Sequence, residues 1–334
     1  MSTSNIHSKF LRKWKNIRND MRGLLRMNEH LFLHARGSRI LIYHGICQSD
    51  HTRFNSIFLR YKTFEKHLQF LKKYFHVISL NDFYNQRFSE ERFNICISFD
   101  DGFANNYKYV LPLMNKYQVP VTFFITGIRH AGYDILWNDF LALAGKYGPA
   151  EFQWDNDLFL KDNHSRYVSK ISGRFLKDLL REDGFDKKAA LINFPEPILS
   201  FKNKMLEEDY WLQMTEEEIK NLSASPLATI GCHGYYHNDL SQIPISDAKN
   251  EITCCKRWLE NITGKEVDAI AFPYGAYSPD VIAEAKFAGF KQLLAVDFLC
   301  TENHADPTMR ERLTINPYIS VNNQMIATVK GNYE

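Results

Sequence analysis

Asn94-Ile95-Cys96-Ile97-Ser98-Phe99-Asp100-Asp101-Gly102 is the stretch that decides the fold. Four apolar residues in six read as a buried strand, and two adjacent carboxylates stand where it ends, followed by a glycine that lets the chain turn away. A strand that delivers charge at its C-terminal end belongs to β/α architecture, where the carboxyl ends of parallel strands carry the site. Asp-Asp-Gly on its own also suits a solvated turn.

The same arrangement recurs at Ala228-Thr229-Ile230-Gly231-Cys232, where His233-Gly234-Tyr235-Tyr236-His237 follows directly. Two imidazoles four residues apart reach one metal if the segment makes a helical turn. With Asp101 from the other strand end they form a His-His-carboxylate set with positions left for water. Such a set suits zinc, and equally cobalt, nickel or iron. A third strand leads into Ala271-Phe272-Pro273-Tyr274-Gly275. Pro273 and Gly275 can hold that loop so that the Tyr274 N–H serves as an oxyanion donor, or the segment is a plain turn.

Outward from these points, apolar runs alternate with helical patterns from Arg39 onward. The strands expected are Ile40–Tyr43, His76–Ser79, Asn94–Phe99, Val121–Thr126, Ala228–Gly231, Ala269–Phe272 and Gln292–Ala295, seven in all, which suggests a barrel. Helical spacing falls at Lys62–Tyr74, Asn105–Tyr117, Ser246–Asn261 and Pro279–Ala288, with Gly289 at a left-handed stop. The alternation lapses at about 137–225. A hairpin of Phe152–Trp154 and Leu158–Leu160 is expected there, then charged helical segments such as Ser165–Arg181 and Thr215–Asn221, with Pro195 and Pro197 as punctuation. This insertion reads as a largely helical excursion of one domain spanning 39–330, placed to roof the site.

The composition narrows the function. A formal charge of +2 on 334 residues, with 45% hydrophobic and 14% aromatic content, describes a globular chain and gives no ground for a nucleic-acid partner. Within segment 1–38 the run Lys9–Arg26 departs from the even charge: Lys9, Arg12, Lys13, Lys15, Arg18, Arg22 and Arg26 face a single Asp20, while Phe10, Trp14, Ile17, Met21 and Leu24 recur at three- and four-residue spacing. A helix of that pattern lies on an anionic membrane surface, or packs its stripe on the barrel or on a second subunit. The six cysteines form no C-x-x-C pair, and no apolar run approaches the ~20 residues that span a bilayer. The expectation is a cytoplasmic protein, with association at the inner membrane face through this helix.

Taken in order, these motifs resemble those of the polysaccharide deacetylases, the NodB-homology or carbohydrate esterase family four enzymes. The resemblance runs from about Arg39 to Pro317. It rests on Ser98 to Gly102, His233-x-x-x-His237 followed by Asp239-Leu240, Glu251–Leu259 leading to Gly264, Ala271 to Gly275, and Ala288-Gly289-Phe290. It implies a distorted (β/α)7 barrel, one divalent metal held by Asp101, His233 and His237, Asp100 as catalytic base, and an N-acylated saccharide as substrate, free or lipid-linked. Ile40-Leu41-Ile42-Tyr43-His44 is similar to the strand that opens the biofilm-polysaccharide branch, and His44 is the candidate acid that protonates the departing nitrogen. Two positions depart from the family pattern. Ala271 stands where an arginine usually pairs with the base, and Arg312 in Arg310-Glu311-Arg312-Leu313 is the candidate replacement. No late Leu-x-His motif is present, His304 being a poor match. These departures keep open a rival reading, a glycan-binding or scaffolding protein that has lost turnover. A metal phosphohydrolase lacks a phosphate-cradling glycine-rich loop.

Overall fold

The computed structural model describes residues 3–52, 56–193 and 208–333. Its main sheet runs, strand by strand, through Met309–Arg310, Gln292–Leu294, Ala269–Ala271, Ala228–Cys232, Val121–Ile125, Asn94–Phe99, Ser38–Tyr43 and Leu313–Thr314, with every neighbouring pair parallel. The first and last members of this path are separated in the chain only by Glu311 and Arg312. The sheet therefore curls on itself, and this short segment crosses the seam. Arg312 N–H donates to the Val296 carbonyl on one side (3.2 Å), while Ile315 N–H donates to Ile42 on the other (3.0 Å). The fold is a distorted (β/α)7 barrel.

All seven expected strands form, but one has a different place. His76–Val77 pairs only with Asn94 and Ile95 at the foot of their strand, off the closed path, and the seventh stave is the interrupted segment Met309–Thr314. Two-residue strands carry too little alternation to be read from sequence.

Period-two alternation sorts the stave side chains into two sets. Ile40, Cys96, Phe124, Ala271 and Leu294 fill the interior, whereas Leu41, Ile97, Phe123, Ile270 and Leu293 pack under the outer helices. Those helices include Tyr61–Tyr74, Leu111–Tyr117, Ile245–Thr263 and Pro279–Phe287. Gly264 (φ +64°) and Gly289 (φ +88°) supply left-handed stops.

Within the insertion, Glu151–Trp154 and Asp157–Lys161 pair antiparallel in the register Phe152↔Phe159. Both central turn residues, Asp155 and Asn156, have positive φ, the type I′ geometry that matches strand twist. The expected helix Ser165–Arg181 is shorter than its pattern: Tyr167–Ser169 joins the hairpin as a third strand, Gly173 turns at φ +70°, and the helix spans only Leu176–Arg181. Helix Glu216–Ser223 starts on a capping box formed by Thr215 and Glu218. Pro195 and Pro197 lie outside the described residues.

The basic N-terminal segment forms the helix Thr3–Leu24; the side chains of Lys9 and Phe10 lie outside those described. Its polar side faces the barrel. Asn19 donates to Asn323 Oδ1 (3.1 Å), Asn323 donates to Asp20 (2.8 Å) and to the Asn16 carbonyl (3.1 Å), and Asn322 donates to the Asn19 carbonyl (2.9 Å), all against the C-terminal helix Val321–Lys330. Trp14, Ile17, Met21 and Leu24 are exposed on the other side. The stripe is thus not packed on the barrel. Among the described residues no helix is long and apolar enough to cross a membrane.

Candidate active site

Because the staves are parallel, their carboxyl ends share one rim, and the site residues are the first residues beyond each end. The ladder continues one step past the strands: Asp100 N–H donates to the Tyr43 carbonyl (2.9 Å) and His233 N–H to the Ile125 carbonyl (2.9 Å). Backbone pairing thus fixes where each side chain departs.

Asp101, His233 and His237 converge at the centre. Asp101 Oδ1 lies 3.3 Å from His233 Nε2 and 3.2 Å from His237 Nε2, and all three residues are buried. One ligand atom from each lies within 4.8 Å of the others. His233 Nδ1 is 2.8 Å from the carbonyl of Ala271, which can only accept, so Nδ1 carries the proton and Nε2 presents its lone pair inward. Burial alone would raise the Asp101 pKa, but the two imidazoles set against it hold it well below the usual carboxylate value. A buried anionic oxygen beside two imidazole nitrogens fits a divalent cation with N/O preference, as the motifs implied.

Asp100 points to a different partner. Arg312 grips it as a fork, Nη1 to Oδ1 at 2.7 Å and Nη2 to Oδ2 at 2.8 Å, and donates also to Ser98 Oγ (3.2 Å) and the Ala295 carbonyl (3.2 Å). The Arg312 side chain is 0% exposed, and its guanidinium lies 5.3 Å from the Phe124 ring centroid. Burial pushes the Asp100 pKa up, yet the Arg312 charge, followed by His233 and the forked hydrogen bonds, outweighs it and holds the group below its ordinary value. The side chain at 271 is a buried methyl group; the guanidinium facing Asp100 comes from the barrel seam instead.

His44 follows the Ser38–Tyr43 strand and lines the same cleft; Asn106 Nδ2 donates to its carbonyl at 2.8 Å. Burial lowers its pKa, opposed by the Asp101 and Asp100 carboxylates. Tyr274 sits in the one-turn segment Pro273–Gly275, its ring centroid 4.8 Å from that of His237. Its hydroxyl is buried with no hydrogen-bond partner, and burial raises its pKa well above normal.

Backbone strain is concentrated here. Among the described residues, nine non-glycine residues have positive φ, and three of them are Asp101 (+75°), His237 (+56°) and Tyr274 (+61°). Left-handed Tyr and His are costly unless their surroundings over-determine them, and they collect where side chains must be aimed. Gly102 (φ +81°) is required after Asp101, since a Cβ there would meet Ile125 Cγ2 at 2.9 Å.

The structure brings together all seven residues singled out from sequence: Asp100, Asp101, His233, His237, His44, Tyr274 and Arg312. Six of them line one cleft of about 380 Å³, and Arg312 reaches it through its fork on Asp100. His304 is exposed and does not line it. A wider groove of about 720 Å³ beside His130 and Trp258 contains none of the seven. Sequence reading missed Asn138, Asp139 and Lys177, which the insertion adds to the cleft wall. Asp139 is buried there, and desolvation, reinforced by the Asp101 charge, raises its pKa well above normal. The lapse in β/α alternation flagged the insertion but not these residues.

The polysaccharide deacetylase family matches residues 89–151 and 203–293, leaving out most of the insertion. No curated protein matches the chain. Among solved structures, the deacetylase PplD of Streptococcus pyogenes, determined in complex with acetate, superposes with a TM-score of 0.55 at 15% identity, covering 87% of this chain and 97% of its own. IcaB from Ammonifex degensii gives 0.53 at 15%, covering 89% and 98%. A de-N-acetylase from Aggregatibacter actinomycetemcomitans gives 0.52 at 14%, covering 88% and 98%. At such identities the likeness speaks for the fold, and the family match speaks for the motifs. Over those two segments the chain is similar to the polysaccharide deacetylase domain.

Proposed function

We propose that this protein is a metal-dependent hydrolase that removes an acetyl or other acyl group from the nitrogen of a saccharide. The observation that carries the reading is one cleft holding two functionally distinct carboxylates: Asp101 set between two imidazoles, and Asp100 forked by a buried arginine. Asp101, His233 and His237 would hold the ion, zinc first by donor type, with cobalt, nickel or iron as alternatives. When bound, it supplies Lewis acidity toward the acyl carbonyl and lowers the pKa of water. Asp100 takes the proton of the attacking water. Arg312 keeps that carboxylate anionic and fixed in direction, the task the family gives to an arginine at the position of Ala271. The Tyr274 N–H supports the developing oxyanion, and His44 delivers a proton to the departing nitrogen, so that the products are a carboxylate and a free amine.

The Arg312 fork also supports turnover over the rival reading of an inactive glycan-binding barrel, since the lack of an arginine at 271 was one of that reading's grounds. Acetate release from N-acetylated oligosaccharides, measured with and without chelator for the parent and for Asp100→Asn, tests the choice. Chelator-sensitive release by the parent alone is expected. Binding without release by the metal-loaded parent would return the rival.

For cellular context, we place the enzyme in the cytoplasm at the inner membrane face, as one catalytic unit of residues 39–330 with the insertion at about 137–225 as its roof, acting on lipid-linked saccharides. Six unpaired cysteines suit a reducing compartment. The N-terminal helix turns its asparagine face to the barrel and its exposed apolar stripe outward, flanked by Arg12, Lys13, Lys15, Arg18, Arg22 and Arg26, which suits an anionic lipid surface. Deleting residues 1–30 should abolish sedimentation with anionic vesicles and spare turnover of soluble substrates. Unchanged sedimentation rules out the lipid role.

A further inference from the structure

The two metal-ligand histidines are held in different ways. His233 has the usual device, a second ring nitrogen bonded to a fixed carbonyl. His237 does not: its Nδ1 is buried without a hydrogen-bond partner, and its backbone is left-handed at φ +56°. No hydrogen bond at its second ring nitrogen aims it. Its aim must come from the loop, which is gripped at every residue from Tyr235 to Asp239, through the backbone at Tyr235, Tyr236 and His237 and through the side chains of Asn238 and Asp239.

Glu251, on the outer helix Ile245–Thr263, accepts from the N–H groups of Tyr235 (3.1 Å) and Tyr236 (3.0 Å) and from Asn238 Nδ2 (2.6 Å). The remaining grips come from the insertion. Trp137 Nε1 donates to the carbonyl of His237 itself, at 3.1 Å. Lys188, fully buried, donates to Asn238 Oδ1 and to the Asp183 carbonyl (2.8 Å), with its ammonium 4.8 Å from the Trp137 ring centroid. Arg181 closes on the buried carboxylate of Asp239 through Nε (2.8 Å) and Nη2 (2.7 Å), and its guanidinium lies 4.7 Å from the Tyr274 ring centroid. A lysine with no exposure is costly to bury and persists only where its bonds are fully used. One of the bonds of Lys188 goes to the residue that follows His237.

We infer that Trp137, Arg181 and Lys188 are positioning residues for His237, so that the insertion, whose Arg181 and Lys188 lie between the two segments of the family match, sets the metal affinity of the site. The inference rests on the metal-binding reading above. Outer partners of ligating histidines typically govern affinity by 10–100-fold, and here the partners act on the ligand's carbonyl and on the two side chains that follow it instead of on its ring. Two of the helices that grip the loop also face the cleft: Trp137 is followed by Asn138 and Asp139, and Arg181 lies one turn beyond Lys177. Contact with substrate and tension on the metal loop are thus carried by shared elements.

The test uses the full chain and zinc or cobalt alone. Trp137→Phe keeps an aromatic ring and removes one N–H. Arg181→Gln alters a partly exposed side chain, so neither variant depends on the protein surviving loss of a buried charge. Lys188→Met is the third variant, and Lys187→Met, an exposed neighbour paired with Asp155 and Asp183, is the control. Each of the three is expected to weaken zinc binding by about 10-fold or more in competition with a chromophoric chelator. The visible spectrum of the cobalt form should change as His237 shifts, while the metal-free melting temperature of Trp137→Phe and Arg181→Gln stays near that of the parent and Lys187→Met matches the parent throughout. Trp137→Phe and Arg181→Gln binding zinc like the parent, with the parent's cobalt spectrum, would overturn the proposal alone. A parent that takes up no stoichiometric zinc overturns the metal reading and this proposal together.

Discussion

The Asp100–Arg312 pair permits a quantitative test of how the barrel holds its base. Arg312→Met removes a side chain that is 0% exposed and makes four hydrogen bonds, and leaves Asp100 buried beside Asp101 with no cation forked onto it. A surface pair such as Lys291–Glu266, with both side chains 62% exposed, would cost only about 0.2–1 kcal/mol to break. For the buried pair the loss should be about 3–5 kcal/mol, because the carboxylate keeps its desolvation penalty and loses the compensating charge. Adding Asp100→Asn to Arg312→Met removes that stranded charge. The double variant should therefore recover a large part of the loss, with a coupling energy of roughly 2–3 kcal/mol, at the upper end for residues in direct contact. Urea unfolding of parent, both single variants and the double variant, all in chelator so that metal binding does not enter, measures it. A coupling below about 0.5 kcal/mol, the range of independent sites, would show that Arg312 does not hold Asp100 in solution and would remove its assignment as the replacement arginine.

Three further outcomes are expected. Asp101→Ala should lose stoichiometric zinc after dialysis while Asp100→Asn retains it; equal metal content in the two would refute the division of labour between the carboxylates. His44→Ala should lower kcat on an N-acetyl substrate by roughly 10²–10⁴-fold, the range for losing a general acid, and much less on an activated aryl ester that leaves without protonation; equal losses on both would make His44 structural. Burial lowers the Lys188 pKa from 10.5 to about 8, so the folded state sheds this proton more readily than the unfolded chain. The sign follows: between pH 8 and 10.5 the unfolded state holds more protons, and the parent gains stability there as pH rises. Lys188→Met lacks that gain, so its stability deficit relative to the parent should widen across the interval, and a constant deficit would contradict the shift.

The candidate site was legible in the sequence because it is written locally. Asp100 and Asp101 follow one apolar run, His233 and His237 another and His44 a third, and parallel strands carry such ends to one rim whatever the details of packing. Hydrophobic alternation, a short-range signal, therefore sufficed for six of the staves and for the convergence of Asp101, His233 and His237. What it could not supply are relations across space. The seventh stave, Met309–Thr314, is made of two-residue strands with no readable period, and it forms only because the sheet curls far enough for its edges to meet. Its closure carries Arg312 to Asp100, 212 residues away in the chain, turning a resemblance near the C-terminus into a forked ion pair. The insertion shows the same limit: a break in β/α alternation marked where it lies, but only folding shows that Asn138, Asp139 and Lys177 wall the cleft and that Trp137, Arg181 and Lys188 grip the His237 loop. The N-terminal helix divides the two kinds of information clearly. Its sequence determined that an apolar stripe lies between cations, a property of 3.6-residue periodicity alone. Which face meets the protein was decided by the asparagines of the C-terminal helix, which satisfy one another and Asp20 across the contact and leave the apolar face to the outside.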